Sequence, residues 1–213
     1  MNDFLSSEGP LFSFLDKVGQ LIILSILWIL GCLPIVTIIP ATTALYYAVM
    51  KAVRRDRGRA AGEFWRSFRG NLKRGIPISL LLVVPAALMG FNLWMLGMGE
   101  TLVPGGLGAA NLLLLLLLAA TAVYISPVLS RFDVGMGKAL KLSFVMAIRF
   151  LPYTLLIIAA AVLLGYAQFF LLPMPTILLL PALVCFGATF LIEKSLRKYM
   201  PEKKPGDDAW YYE

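Results

Sequence analysis

Four stretches of this 213-residue chain contain no Asp, Glu, Lys or Arg: residues 18–50, 75–99, 101–130 and 150–192. A helix needs about 20 predominantly apolar residues to cross the hydrocarbon core of a bilayer. The first stretch predicts a span from about Val18 to Ile39, interrupted in its second half by Gly31, Pro34 and Pro40. Proline removes a backbone donor and kinks or ends a helix. A short apolar piece, Ala41 to Met50, follows it. The second and third stretches predict spans over about Ile76 to Met98 and Leu107 to Leu129. The last stretch, as one straight helix, would be about 64 Å long, twice the hydrocarbon thickness. Pro173 and Pro175 mark the turn that divides it into two spans. The predicted fold is all-α: a polytopic membrane helical bundle of about five transmembrane helices. Residues 1–17 form a short N-terminal surface segment, 18–192 a single transmembrane domain and 193–213 a basic, polar tail.

The connections between spans carry a second pattern. Lys51 to Arg74 is densely basic, and within it Phe64, Phe68 and Leu72 recur at every fourth residue with Trp65 alongside. That spacing places the apolar residues on one helical face, while Arg66, Arg69 and Lys73 point elsewhere. The connection holding Arg131, Lys138, Lys141 and Arg149 repeats the device, with Leu140, Phe144 and Ile148 stepping by four. Both predict amphipathic connecting helices lying at the cytoplasmic membrane surface. Phe64-Trp65-Arg66-Ser67-Phe68 aligns with Leu140-Lys141-Leu142-Ser143-Phe144, and each stretch leads into a span opened by a proline, Pro77 or Pro152. A parallel internal repeat and a chance likeness of two amphipathic connectors both fit.

Charge orients the bundle. With five spans, the N-terminus, the loop around Glu100 and the Pro173 turn share one side and hold only Lys17, one of 19 Lys and Arg. The positive-inside rule then puts the other eighteen in the cytoplasm, with the N-terminus outside and the C-terminus inside. If residues 18–55 instead form a hairpin of two short helices, the N-terminus moves inside and the rest is unchanged. Loop bias and anionic headgroups account for the formal charge of +7 without a nucleic-acid partner.

Composition narrows the chemistry. With 60% apolar and 15% charged residues, the chain has too little polar surface for a soluble domain. There is no His, which excludes His-based triads and imidazole relays. Cys32 and Cys185, both inside apolar runs, read as buried small side chains and make no zinc site or disulfide framework. Ile29-Leu30-Gly31-Cys32 resembles the end of a lipoprotein signal, but the preceding start is acidic and the apolar run continues past Cys32. No ionisable residue falls within a predicted span, which argues against a proton-coupled carrier. No phosphate loop, activated nucleophile or metal cluster is present, so neither an enzyme nor a cofactor is expected. Four amides, Gln20, Asn92, Asn111 and Gln168, fall in the outer halves of their spans. They read as interhelical hydrogen bonds, worth about 0.6 kcal/mol each, or as an outward-facing polar pocket. Ala86-xxx-Gly90 and Ala161-xxx-Gly165 are small-residue pairs of the kind that let spans pack closely.

The stretch Cys32-Leu33-Pro34-Ile35-Val36-Thr37-Ile38-Ile39-Pro40-Ala41-Thr42-Thr43-Ala44-Leu45-Tyr46-Tyr47 resembles the signature of the bacterial YesL family. So do Tyr124-x-x-Pro127-x-x-x-Arg131-Phe132, Leu140-Lys141 and Arg149-Phe150-Leu151-Pro152. The resemblance runs along nearly the whole chain and departs from the pattern at Ile39, where a small residue is expected. It implies a multi-pass protein of the bacterial plasma membrane, encoded beside carbohydrate ABC-transporter and glycan-degradation genes, and supplies no catalytic residues. The expected function is a non-catalytic accessory protein with sugar-transporter subunits as partners; the rival is a small oligomeric facilitator. Its expected docking or lipid-binding face comprises Phe64, Trp65, Arg66, Phe68, Arg69, Lys73, Lys141, Phe144 and Arg149.

Overall fold

A computed structural model describes residues 10–98, 108–132, 134–170, 176 and 178–196. Seven α-helices account for most of them: α1 Pro10–Cys32, α2 Ile38–Ala48, α3 Ala60–Gly97, α4 Gly108–Arg131, α5 Met136–Arg149, α6 Leu151–Phe170 and α7 Leu180–Leu196. No strand occurs among the described residues. The fold is an all-α helical bundle. Five helical segments, 13–32, 35–53, 60–97, 108–131 and 151–168, are long and apolar enough to cross a membrane. The protein is therefore a membrane-embedded multi-pass bundle.

Residues 18–55 form a hairpin of two helices, so a single kinked span over Val18–Ile39 is corrected. Pro34 is extended, with φ −78° and ψ 121°, and it stops α1. The Thr37 hydroxyl lies 2.7 Å from the carbonyls of both Gly31 and Pro34, and by donating to Gly31 it takes up an acceptor that the end of α1 leaves open. The chain then reverses. Trp28 Nε1 donates to Thr42 Oγ1 at 3.2 Å, and a Cβ on Gly31 would meet Ala41 Cβ at 3.2 Å. At the far end of the hairpin Lys17 pairs with Asp56 at 3.2 Å. The start of α1 therefore lies beside the basic loop after α2, not across the bundle from it, which corrects the five-span route to an N-terminus opposite the basic loops.

The loop between α2 and α3 needs glycine at one point. Gly58 has φ +84°, and a Cβ there would fall 2.8 Å from Glu63 Oε1. Beyond it α3 runs unbroken for 38 residues, about 57 Å. The surface helix expected over Phe64–Leu72 and the span expected from Ile76 are thus one helix, with Pro77 and Pro85 inside it. Its first half packs antiparallel to α2. Gly75 touches Pro40 so closely that a Cβ would lie 2.5 Å from Pro40 Cγ. The Ile39 N–H, one of the unpartnered donors in the first turn of α2, donates to Ser79 Oγ at 3.1 Å.

The second half of the chain differs from the first. α5 is a separate helix, and its break from α6 falls at Phe150, φ −111° and ψ 35°. The two stretches that align in sequence therefore have different backbones: continuous through Pro77, broken before Pro152. α5 buries Ala139, Ser143, Met146 and Ala147, leaving Phe144 and Ile148 exposed. α7 extends through Glu193 to Leu196, so the polar tail does not begin at residue 193.

Candidate functional site

Three polar side chains from the ends of three helices meet in the protein interior. Arg131 closes α4, Glu193 lies in the last turn of α7, and Tyr46 lies in the last turn of α2. Arg131 Nη2 pairs with Glu193 Oε1, and the Tyr46 hydroxyl donates to the same oxygen at 2.8 Å. The charged side chains are 1% and 7% exposed. An isolated charge at such a site would be costly, whereas a paired and hydrogen-bonded one is tolerated. Glu193 is buried within the protein at the end of α7, outside the five segments long enough to cross a membrane. The sequence placed it one residue beyond an uncharged run, where it read as the start of the tail. Tyr46 and Arg131 were visible in the family-like motifs, but nothing in their spacing named their partner.

Two cavities flank this cluster. A chamber of about 780 Å³ is walled by α1, α2, α4, α6 and α7, with Tyr46, Ser126, Ile157, Gly165 and Ile192 among its lining. None of its lining side chains is charged. A smaller groove of about 320 Å³ is bordered by Tyr47, Arg66, Asn71, Arg74, Ser130 and Arg131. Adjacent tyrosines of α2 thus face different cavities. Ala161 and Gly165 border the chamber instead of packing against another helix, so the closely packed small-residue pair expected on α6 is corrected.

The expected docking face is divided by the fold. Phe64 is 1% exposed and Phe68 stacks on it with ring centroids 6.0 Å apart; a Cβ on Gly31 of α1 would be 3.6–3.7 Å from both rings. These two residues are core against the α1–α2 hairpin, not a membrane-facing stripe, because the hairpin occupies the side where lipid was expected. Arg66 is engaged with Glu63 and donates to Tyr47 OH at 2.9 Å, while Lys51 reaches Glu63 at 3.0 Å. Arg54 stacks over Phe190 at 4.3 Å. Trp65, Arg69 and Lys73 remain exposed, with the Arg69 guanidinium 5.7 Å from the Trp65 ring. On α5, Lys141, Phe144 and Arg149 are exposed as well.

The four amides do not form one cluster. Asn111 Nδ2 donates to Asn92 Oδ1 at 3.1 Å and to the Met89 carbonyl at 3.2 Å, joining α4 to α3. Gln20 donates to Asp16 at 2.8 Å on its own helix. It lies one turn from Lys17, at the end of the hairpin beside Asp56, because α1 runs opposite to the direction a five-span path requires. Gln168 lines the apolar chamber and accepts from Thr176 at 2.8 Å. Among the described residues no group of three or more His, Cys, Asp or Glu could hold a metal ion.

The bundle and its site define a class: a multi-pass α-helical membrane protein with a buried ion pair between an apolar chamber and a basic groove. Residues 21–93 match the family described as protein of unknown function DUF624, which is the domain family of YesL-like proteins. That segment covers most of the α1–α2 hairpin and most of α3. No curated protein and no solved structure matches the chain.

Proposed function

We propose that the protein is a non-catalytic accessory component of the bacterial plasma membrane, acting by binding partners and not by passing solute itself. One observation carries this reading: the large chamber is apolar, and the buried ionisable groups satisfy one another instead of lining a polar path. A sugar route would need hydroxyl-pairing groups along it, because an unpaired polar group in hydrocarbon costs several kcal/mol. The facilitator reading has less support for that reason. The basic end is assigned to the cytoplasm by the positive-inside rule, and the hairpin brings the Lys17 end to that same side. Trp65, Arg69 and Lys73 with Lys141, Phe144 and Arg149 supply the docking face. There, anionic headgroups would be worth about 1 kcal/mol per cation, and subunits of a sugar importer are the proposed protein partner.

The test has two arms. Protein reconstituted alone in proteoliposomes should give no more flux of radiolabelled mono- or disaccharide than empty vesicles. Tagged protein from native membranes should recover transporter subunits, and Trp65→Ala/Arg69→Glu/Lys73→Glu should lose them while remaining monodisperse. Saturable sugar flux by the purified protein would refute the accessory reading in favour of the facilitator.

A further inference from the structure

The basic groove is built on one stripe of α3. Arg66, Gly70 and Arg74 stand at every fourth residue, so they share a helical face, with Gly70 midway between two arginines about 12 Å apart along the axis. All three border the groove. Gly70 is exposed, and a Cβ built there meets nothing within 4 Å. The floor between the two arginines is therefore open backbone. Trp65, Arg69 and Lys73, each one residue earlier, form a neighbouring stripe about 100° around the helix and are not among the residues that line the groove.

The two guanidinium groups have donors to offer. The Arg66 side chain is 61% exposed, and its bonds to Glu63 and to the Tyr47 hydroxyl both run through Nη2. Its Nε and Nη1 make no hydrogen bond among the described residues. Arg74 is exposed and has a contact of its own, but five N–H donors leave a guanidinium room for a second partner. Arg131 is 1% exposed and committed to Glu193, so it takes no part in binding. No Asp or Glu is among the described residues that line the groove.

Position says what reaches this groove. Arg74 is the last charge before the uncharged run 75–99, and Arg131 is the first after the run 101–130. Both border the same space of about 320 Å³. The groove therefore sits where two spans leave the hydrocarbon, at the depth of lipid headgroups. Basic pockets between helices at the cytoplasmic boundary suit phosphorylated headgroups. A guanidinium meets two phosphate oxygens with parallel hydrogen bonds, and a tetrahedral phosphate presents oxygens to two arginines at once, which a planar carboxylate does less well. We propose that the groove is a phosphate-binding site in which Arg66 and Arg74 clamp one phosphate group above Gly70. A phospholipid headgroup and a soluble phosphate ester share that chemistry, and the position of the groove favours the lipid. The site is separate from the docking face of Trp65, Arg69 and Lys73 and does not depend on the accessory role proposed above.

The test is native mass spectrometry of the purified full-length protein, released from detergent, with phosphatidylglycerol, glycerol 3-phosphate and palmitate as probes. Phosphatidylglycerol should give one saturable adduct, and palmitate, an anion without phosphate, should not compete with it. Arg66→Lys/Arg74→Lys keeps the charge and removes both planar forks, and it should weaken phosphatidylglycerol about tenfold. Arg69→Lys, on the neighbouring stripe, should leave it unchanged. Gly70→Leu, filling the open floor, should weaken it as strongly with the gel-filtration profile unchanged; if that variant does not fold, the double Lys variant decides. Displacement of the lipid by glycerol 3-phosphate only at large excess supports the site with a lipid as its ligand. Displacement at equal concentration supports the site with a soluble ester as its ligand. Three results would overturn the proposal: wild-type affinity in the double Lys variant, competition by palmitate at equal concentration, or several equivalent, non-saturable adducts.

Discussion

At the scale of residues, the cluster of Tyr46, Arg131 and Glu193 joins α2 to α4 and α7. Its contribution lies less in net stabilisation than in the penalty for losing one member alone. Glu193→Gln leaves the Arg131 guanidinium buried beside a neutral amide, and breaking a buried pair in this way costs about 3–5 kcal/mol. Replacing both partners with Met should recover most of that loss, since no uncompensated charge remains. Unfolding in detergent of Glu193→Gln and of the double Met variant measures the difference. Equal loss in single and double variants would mean that the side chains matter for packing alone. Both charged partners stand at the ends of uncharged runs, Arg131 after 101–130 and Glu193 after 150–192. In sequence that position marks a span boundary. It cannot reveal that two boundaries from different helices meet in the interior.

Helical periodicity located the elements well and their neighbours poorly. The fourfold spacing of Phe64, Phe68 and Leu72 identifies a face, and the residues do share a helix. Periodicity does not say whether that face meets lipid or protein. Here the α1–α2 hairpin covers it, and Phe64 becomes part of the core while Trp65, one residue on, stays 46% exposed. The two readings rank the variants oppositely. Phe64→Ala should cost about 3–5 kcal/mol in detergent through the cavity it leaves. Trp65→Ala, away from the core, should change stability by about 0.5 kcal/mol or less. Surface anchoring by the Phe64 stripe would instead leave detergent stability indifferent to both. Proline was equally ambiguous. Pro34 ends α1, where it is extended and the Thr37 hydroxyl takes up the open Gly31 carbonyl, yet Pro77 is carried inside α3. The difference lies in tertiary neighbours such as Pro40 against Gly75, which no single-sequence pattern displays.

For the whole molecule, all-α architecture, multi-pass character and the concentration of cations toward one end were legible, because each follows from uncharged run lengths and from where Lys and Arg stand. The path of the first 55 residues was not. A kinked span and a hairpin have the same composition, and the two are separated by contacts far apart in sequence: Trp28 with Thr42, Lys17 with Asp56, Ser25 with Ala182. The hairpin moves Lys17 to the side of Arg54–Arg59, so the one cation that stood apart in the five-span scheme joins the others. It also explains why Gln20 parts company with Asn92 and Asn111, and it gives the buried Phe64 and the half-buried Phe68 their partners. The docking face, the basic groove and the sidedness of the whole bundle rest on this reversal of chain direction. Cysteine accessibility in intact and permeabilised cells tests it most directly, in a background with Cys32 and Cys185 replaced by alanine. Cysteines introduced at Lys17 and Arg57 should react with a membrane-impermeant maleimide from the same side, and one at Met98 only from the other. Labelling of Lys17→Cys together with Met98→Cys, on the side opposite Arg57→Cys, would contradict the hairpin and the account built on it.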